Sequence, residues 1–241
     1  MKYVRDTTGR LGKRPHFEPV ELDRECEQLL CAFLKRKYGE VRFPIPTDAL
    51  CVLIEEDAQD LDTYADLSAE GDDVEGVTEF IPGQKPLVKI SARLSENPRL
   101  ENRLRTTLAH EWGHVRFHAP LWLTDTATPD LFGWPPEPTS IKCKRDNILG
   151  ASEYDWMEWQ AGYVCGAVLM PRSRVNTIAR EYLEAIQQRG PLDINSESAL
   201  HLIERISKAF QVSTDAARVR AIKLKIISER GRGLDLPELE A

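Results

Sequence analysis

Between Arg42 and Lys85 the chain has no lysine or arginine. It also has no CxxC pair and no apolar run longer than Tyr163 to Met170. Each absence excludes something. An apolar run that short cannot span a bilayer, which takes about 20 residues. The basic stretch Lys2, Arg5, Arg10, Lys13 and Arg14 leads into no apolar signal core. No membrane partner is expected, and the expected location is cytoplasmic. The five cysteines (Cys26, Cys31, Cys51, Cys143, Cys165) are odd in number and irregularly spaced, so they suggest neither a disulfide framework nor a zinc knuckle and are read as reduced thiols. The missing cations leave Asp48, Glu55, Glu56, Asp57, Asp60, Asp62, Asp66, Glu70, Asp72, Asp73, Glu75 and Glu79 without a basic neighbour in sequence. Such a run makes a solvated acidic face or a docking surface for a basic protein.

What is present describes an ordinary globular chain. Its 241 residues are 41% apolar and 29% charged, enough for a sizeable core in one or two domains. Helical spacing of Leu22, Cys26, Leu29, Leu30, Phe33 and Leu34 predicts a helix over 19–38 that Gly39 stops. A short helix is expected from Thr47, acting as its cap, to Ile54. The alternating, β-branched segments 76–80 (GVTEF) and 87–91 (LVKIS), separated by Pro82-Gly83, predict two antiparallel strands. Asn97 and Pro98 then open a helix with an apolar stripe through Leu100, Leu104, Leu108 and Trp112 or Val115, which Pro120 ends. Residues 119–152 carry five prolines and read as a long lid-like loop. Helices are expected again at 155–170, 172–188, about 197–209 and about 214–228, before a frayed tail from Gly231.

Three of the five histidines lie in TLAHEWGHVRFH (107–118). On a helix His110 and His114 share one face and can both reach one metal ion, while Glu111 lies about 100° round from His110, beside the ion instead of on it. That is where a carboxylate can take a proton from water, and zinc needs such a base because its Lewis acidity brings the pKa of bound water down to about 7. HExxH alone is a moderate signal. His118 would sit about 12 Å further along a continuing helix than His110, so it is read as capping the helix or buttressing the site. A third ligand comes from 155–170, where Glu158, Ala161 or Gly162, and Cys165 share a face whose small residues permit close helix approach. Gln160, a neutral amide, is a poorer zinc ligand. Two histidines and a glutamate leave one position open, as in a catalytic zinc site.

The stretch 105–118 (RTTLAHEWGHVRFH) together with 158–171 (EWQAGYVCGAVLMP) resembles the two signatures of the ImmA/IrrE metallopeptidases. Weaker similarity runs from the Pro-Ile-Pro-Thr entry at 44–47 through both strands to 210–224 (FQVSTDAARVRAIKL). The resemblance implies an α+β, zincin-like fold with Zn2+ on His110, His114 and Glu158 and Glu111 as general base. It also implies a protein substrate, a helix-turn-helix repressor of a stress, DNA-damage or mobile-element response. One departure is Gly162, where the family usually has Asn or Asp. A glycine cannot orient a ligand histidine, so that support must come from elsewhere.

Further candidates complete the expected organisation. Tyr154, one turn before Glu158, can steady an oxyanion, and His201 is an alternative for that task. Trp122 and Trp134 can line a substrate cleft. Cys143, flanked by Lys142, Lys144 and Arg145, can supply a thiolate to the open zinc position and hold the enzyme latent; packing as a reduced loop thiol is the alternative. The segment 210–220 also looks like a helix-turn-helix, and 205–232 holds eight basic residues against Asp215 and Glu229. That supports a rival reading, a DNA-binding regulator with a structural zinc, or nucleic acid as an activating signal. The expected domains are an N-terminal tail (1–18), a zincin-like metallopeptidase domain (19–190) and a helical, helix-turn-helix-like cap (191–241).

Overall fold

The computed structural model describes residues 1–8, 11–123, 139–144 and 155–228, with the side chains of 143 and 144 outside that set. The fold is mixed α+β, with helices and small sheets. Contacts divide the chain into Met1–Pro171 and Arg172–Ala241, an earlier division than the boundary at 190 read from the sequence.

In the first unit the stretch read as a tail carries a hairpin. β1 (Lys2–Arg5) pairs antiparallel with β2 (Lys13–His16), Lys2 opposite His16. α1 (Pro19–Tyr38) follows, with Pro19 suiting the first turn and a capping box between Glu18 and Glu21. It buries Leu22, Cys26, Leu30, Phe33 and Leu34, and Gly39 closes it in the left-handed region (φ 78°), its amide donating to the Lys35 carbonyl at 3.0 Å. α2 (Thr47–Asp57) has Pro46 at the cap position. Thr47 does not cap it, because its hydroxyl donates to Glu101 instead.

The main sheet has the order β3-β5-β4-β6. β4 (Val74–Phe80) and β5 (Leu87–Ser91) are antiparallel as expected, with Gly76 opposite Ile90 and Thr78 opposite Val88. β3 (Asp60–Ala65) adds in parallel to β5. β6 (Thr139–Lys144), taken from within the stretch read as a long loop, lies antiparallel along the other edge of β4. A short helix, α3 (Ala92–Ser95), leads to a 3-10 turn at Pro98–Leu100, where the Asn97 side chain accepts from the Arg99 amide at 3.1 Å.

α4 (Glu101–Phe117) packs on β4 and, far more extensively, on α6 (Trp156–Leu169). α6 is buried on nearly every side and starts at Asp155, whose carboxylate accepts from the amides of Met157 and Glu158 at 3.2 and 3.5 Å. The helices approach closely because Gly113 faces Ala161. A Cβ on Gly113 would lie 3.0 Å from the Ala161 Cα. Between them α5 (Pro120–Leu123) buries Trp122, which stacks on Phe80 with ring centroids 4.3 Å apart. Trp122 is therefore part of the core and does not line a cleft. Trp134 lies outside the described residues.

The second unit contains α7 (Arg172–Ala185), α8 (Glu197–Phe210) and α9 (Thr214–Lys223), capped at α8 and α9 by Ser196 and Ser213, together with a two-residue parallel pair, β7 (Leu192–Asp193) and β8 (Ile227–Ser228). Its core is the apolar face of α8 (Ala199, Leu202, Ile203, Ile206, Phe210) with Val212, Ala217 and Ala221. α9 ends before the expected 228. Lys225 turns left-handed (φ 58°), and the Ile226 amide reaches back to the Ala221 carbonyl at 3.0 Å, which frees the chain to form β8.

Candidate metal centre

α4 brings His110, Glu111, His114 and His118 into the interior, each fully buried, and α6 adds Glu158 at 6% exposure and Gln160 at 1%. The i, i+4 spacing stacks His110 on His114, their Nε2 atoms 3.1 Å apart. Glu158 reaches across with Oε1 3.1 Å from His114 Nε2 and Oε2 3.4 Å from His110 Nε2. One donor atom from each of the three residues lies within 4.8 Å of the others.

These spacings can be compared with what an ion requires. Donors placed about 2.0–2.1 Å from a zinc at tetrahedral angles stand about 3.3 Å from one another; here the two Nε2 atoms stand 3.1 Å apart, with one Glu158 oxygen 3.1 Å from His114 Nε2 and the other 3.4 Å from His110 Nε2. Among the described residues the two Glu158 oxygens have no hydrogen bond of good geometry despite their burial, and neither does His110 Nδ1. Buried polar atoms that converge without satisfying one another are costly as they stand. A metal ion would satisfy the Glu158 oxygens together with the two Nε2 atoms. The buried group His110, His114 and Glu158 can bind a metal ion.

Electrostatics within the trio are correspondingly strong. Burial would raise the Glu158 carboxyl, but its close contacts with the His110 and His114 imidazoles outweigh it and hold that carboxyl well below the usual carboxylate range. Burial lowers His114 as well, and contact with Glu158 reverses the effect, so its imidazole is raised.

The Glu111 carboxylate lies against the sheet, at Thr78 and Gly76. Thr78 Oγ1 donates to its Oε2 at 2.5 Å. Gly76 leaves the space that the carboxylate occupies, since a Cβ there would sit 2.9 Å from Glu111 Cδ. Oε1 is buried and has no hydrogen-bond partner among the described residues. Desolvation raises the Glu111 carboxyl, offset in part by His114, His110 and Thr78. A buried carboxyl raised in this way is able to accept a proton.

His118 is not a ligand, in keeping with its helical position. Its Nδ1 lies 3.0 Å from His114 Nδ1 and its Nε2 lies 3.1 Å from Gln160 Oε1. Burial drives its pKa well below the ordinary value. Gln160 in turn donates through Nε2 to the Pro15 carbonyl on β2, at 3.1 Å.

Sequence reasoning missed Gly76, Thr78 and this role of Gln160. The strand alternation that puts residues 76 and 78 on one face was the available signal, but nothing local said which face met α4. Tyr154 lies outside the described residues. So does the side chain of Cys143, whose backbone stands opposite Gly76 in β6. His201 is exposed on α8, 3.9 Å from Glu197.

The acidic stretch is better neutralised than its sequence suggests. Glu56 meets Arg36 at 2.6 Å, Asp57 meets Arg116 at 3.5 Å, Glu70 meets Lys142 at 2.7 Å and Glu79 meets Lys89 at 2.8 Å. Glu75, fully buried, is held by Arg93 and Arg103. Bases from other parts of the chain do what the neighbours in sequence cannot. No helix among the described residues is long and apolar enough to cross a membrane. Searches of protein-family models and of curated proteins find no match to this chain.

Proposed function

We propose that the chain is a zinc-dependent endopeptidase of the ImmA/IrrE type, with His110, His114 and Glu158 as metal ligands and Glu111 as general base. The observation that carries this reading is the juxtaposition in one buried place of two features. One is a pair of imidazole Nε2 atoms 3.1 Å apart with the Glu158 carboxylate 3.1–3.4 Å from them; the other is a carboxylate, Glu111, with one oxygen that has no hydrogen-bond partner among the described residues. A structural zinc needs four protein ligands and has no use for a buried carboxylate next to it. Bound zinc supplies the Lewis acidity that activates water and polarises a peptide carbonyl at neutral pH.

The chain's own groups divide the remaining work. Thr78 fixes one oxygen of Glu111 and leaves Oε1 to accept a proton and return it to the leaving amine. Gly76 lets the carboxylate lie against the sheet. In this reading α4 and α6 against the β3-β5-β4-β6 sheet form a zincin-like core. Tyr154 is proposed as the group that steadies the oxyanion, Cys143 as a thiolate for the fourth position, and a helix-turn-helix repressor as the substrate.

The rival reading draws on α8 and α9, two capped helices joined through a left-handed Gln211 (φ 52°). Against it, Arg220, one of the bases counted for a DNA-binding face, is 1% exposed. A nucleic-acid signal remains compatible with the peptidase.

Zinc content and cleavage of a candidate repressor, measured side by side, separate these possibilities. Glu111→Gln is expected to keep about one zinc per chain and to lose about 10²-fold or more of the cleavage rate. Glu158→Ala is expected to lose zinc. Full zinc in Glu158→Ala, or salt-dependent duplex binding untouched by Glu111→Gln with no cleavage by the unmutated protein, would overturn the peptidase reading.

A further inference from the structure

His118 and Gln160 are buried, polar and outside the metal trio, and between them they connect His114 to the N-terminal hairpin. We propose that this connection is a directional hydrogen-bond relay whose function is to hold His114 in the tautomer that presents a bare Nε2 to the metal. His118 and Gln160 are thus positioning residues. The inference rests on the zinc reading above and deepens it.

The direction of every bond follows from one end. The Pro15 carbonyl can only accept, so the Gln160 atom 3.1 Å from it is the amide nitrogen, a donor. That leaves Gln160 Oε1, an acceptor, 3.1 Å from His118 Nε2, which must therefore carry a hydrogen. Both His118 nitrogens are engaged, one by an amide and one by an imidazole, and neither faces a carboxylate. In the relay this ring, fully buried and edge-on to Trp156 at 5.2 Å, carries a single hydrogen. With its hydrogen on Nε2, its Nδ1 is a lone pair.

That lone pair lies 3.0 Å from His114 Nδ1, a separation that accommodates one hydrogen and not two. The hydrogen belongs to His114 Nδ1, and a neutral His114 then presents an unprotonated Nε2. This is the nitrogen that meets His110 Nε2 at 3.1 Å and Glu158 Oε1 at 3.1 Å. A fixed acceptor on β2 thus specifies, through two side chains, which nitrogen of a ligand three residues away along the relay is free to bind. Partners that fix a ligand histidine's tautomer and orientation commonly contribute about 10–100-fold to metal affinity. Gly162, between Ala161 and Tyr163 on α6, has no side chain to offer such support.

Two measurements test the relay apart from catalysis. In the zinc-loaded protein, long-range ¹H–¹⁵N spectra of the histidine rings are expected to place the hydrogen on Nδ1 of His114 and on Nε2 of His118. Either hydrogen on the other nitrogen overturns the relay, and this readout needs no variant.

The second measurement is zinc affinity by competition with a chromophoric chelator. Gln160→Leu and His118→Phe are expected to weaken binding about 10–100-fold. If His118→Phe does not fold, Gln160→Leu decides the matter. Folded relay variants with unmutated zinc affinity, alongside a Glu158→Ala protein that loses zinc, overturn the relay and leave the metal site standing. An unmutated protein that binds no zinc overturns both.

Discussion

Gly76→Ala tests the link between sheet and base without touching a metal ligand. A methyl group at this position would lie 2.9 Å from Glu111 Cδ and nearer still to Oε1. Nonbonded carbons are comfortable at about 3.5–4.0 Å, so the carboxylate must withdraw by roughly 1 Å. It is fully buried on a helix held by α6, and Thr78 Oγ1 already stands 2.5 Å from Oε2, so any retreat disturbs that hydrogen bond. Overpacking of this kind costs about 1–3 kcal/mol. In a chain of this size that corresponds to a fall in Tm of roughly 2–4 °C for each kcal/mol. Misplacing a catalytic group by about 1 Å can cost about 10²-fold in rate. The expected outcome is a folded Gly76→Ala protein with normal zinc content, a Tm several degrees lower and cleavage about 10²-fold slower. Calorimetry, metal analysis and a peptide-cleavage assay read the three quantities. Unchanged Tm and unchanged cleavage would refute the reasoning, because they would mean that Glu111 does not occupy the space Gly76 leaves. Loss of zinc would refute it differently, by showing that the sheet supports the ligands themselves.

Gly113→Ala should do the converse. Its methyl group meets the Ala161 Cα at 3.0 Å, and because that neighbour is backbone, α4 and α6 must part. Zinc affinity should fall by about 10-fold or more, and an affinity equal to that of the unmutated protein would contradict this packing. The metal-free protein should carry a pH signature of the His114–Glu158 pair. The depressed Glu158 carboxyl stabilises above about pH 4.3, its unfolded value, and that contribution is lost as pH falls through its folded value; the raised His114 stabilises below about pH 6.5 and its contribution is lost as pH rises through its folded value. The Tm gap between metal-free unmutated protein and metal-free Glu158→Gln should therefore be widest between about pH 4.3 and 6.5; a gap that grows steadily from pH 6 to 9 contradicts it. Cys143→Ser should raise basal cleavage if the thiolate blocks the fourth zinc position, and identical basal rates with identical zinc spectra would dismiss that role.

Much of this architecture was legible because it rests on local rules. Helix α1 follows from apolar spacing and Gly39, β4 and β5 from alternation, and α4 and α6 from caps and periodicity. His110, His114 and Glu158 were legible for the same reason: helical periodicity fixes which side chains share a face. What escaped depends on contacts distant in sequence. β3 is rich in acidic residues that disfavour strands, and it exists because β5 offers it an edge. β6 lies in a proline-rich stretch without periodicity and is specified by its register against β4. The acidic stretch looked unneutralised because its partners, Arg36, Arg93, Arg103, Arg116 and Lys142, come from outside it. Gly76 and Thr78 acquire their meaning only when the strand lies on α4.

The hairpin of β1 and β2 ties the first residues of the chain to its buried centre. Besides the Pro15 carbonyl, Arg14 lies over the Trp156 ring at 5.4 Å and Phe17 meets Phe117 edge-on at 5.4 Å, so both ligand helices have a contact in this segment. Coupling of that kind is reciprocal: whatever factor the docked hairpin adds to metal affinity, the metal must return as an equal factor against undocking. Residues 2–16 and the ion then share one equilibrium. If the trio binds zinc as proposed, an agent that strips the metal would loosen the hairpin, and a protein that captures the hairpin would draw metal from a centre it never touches.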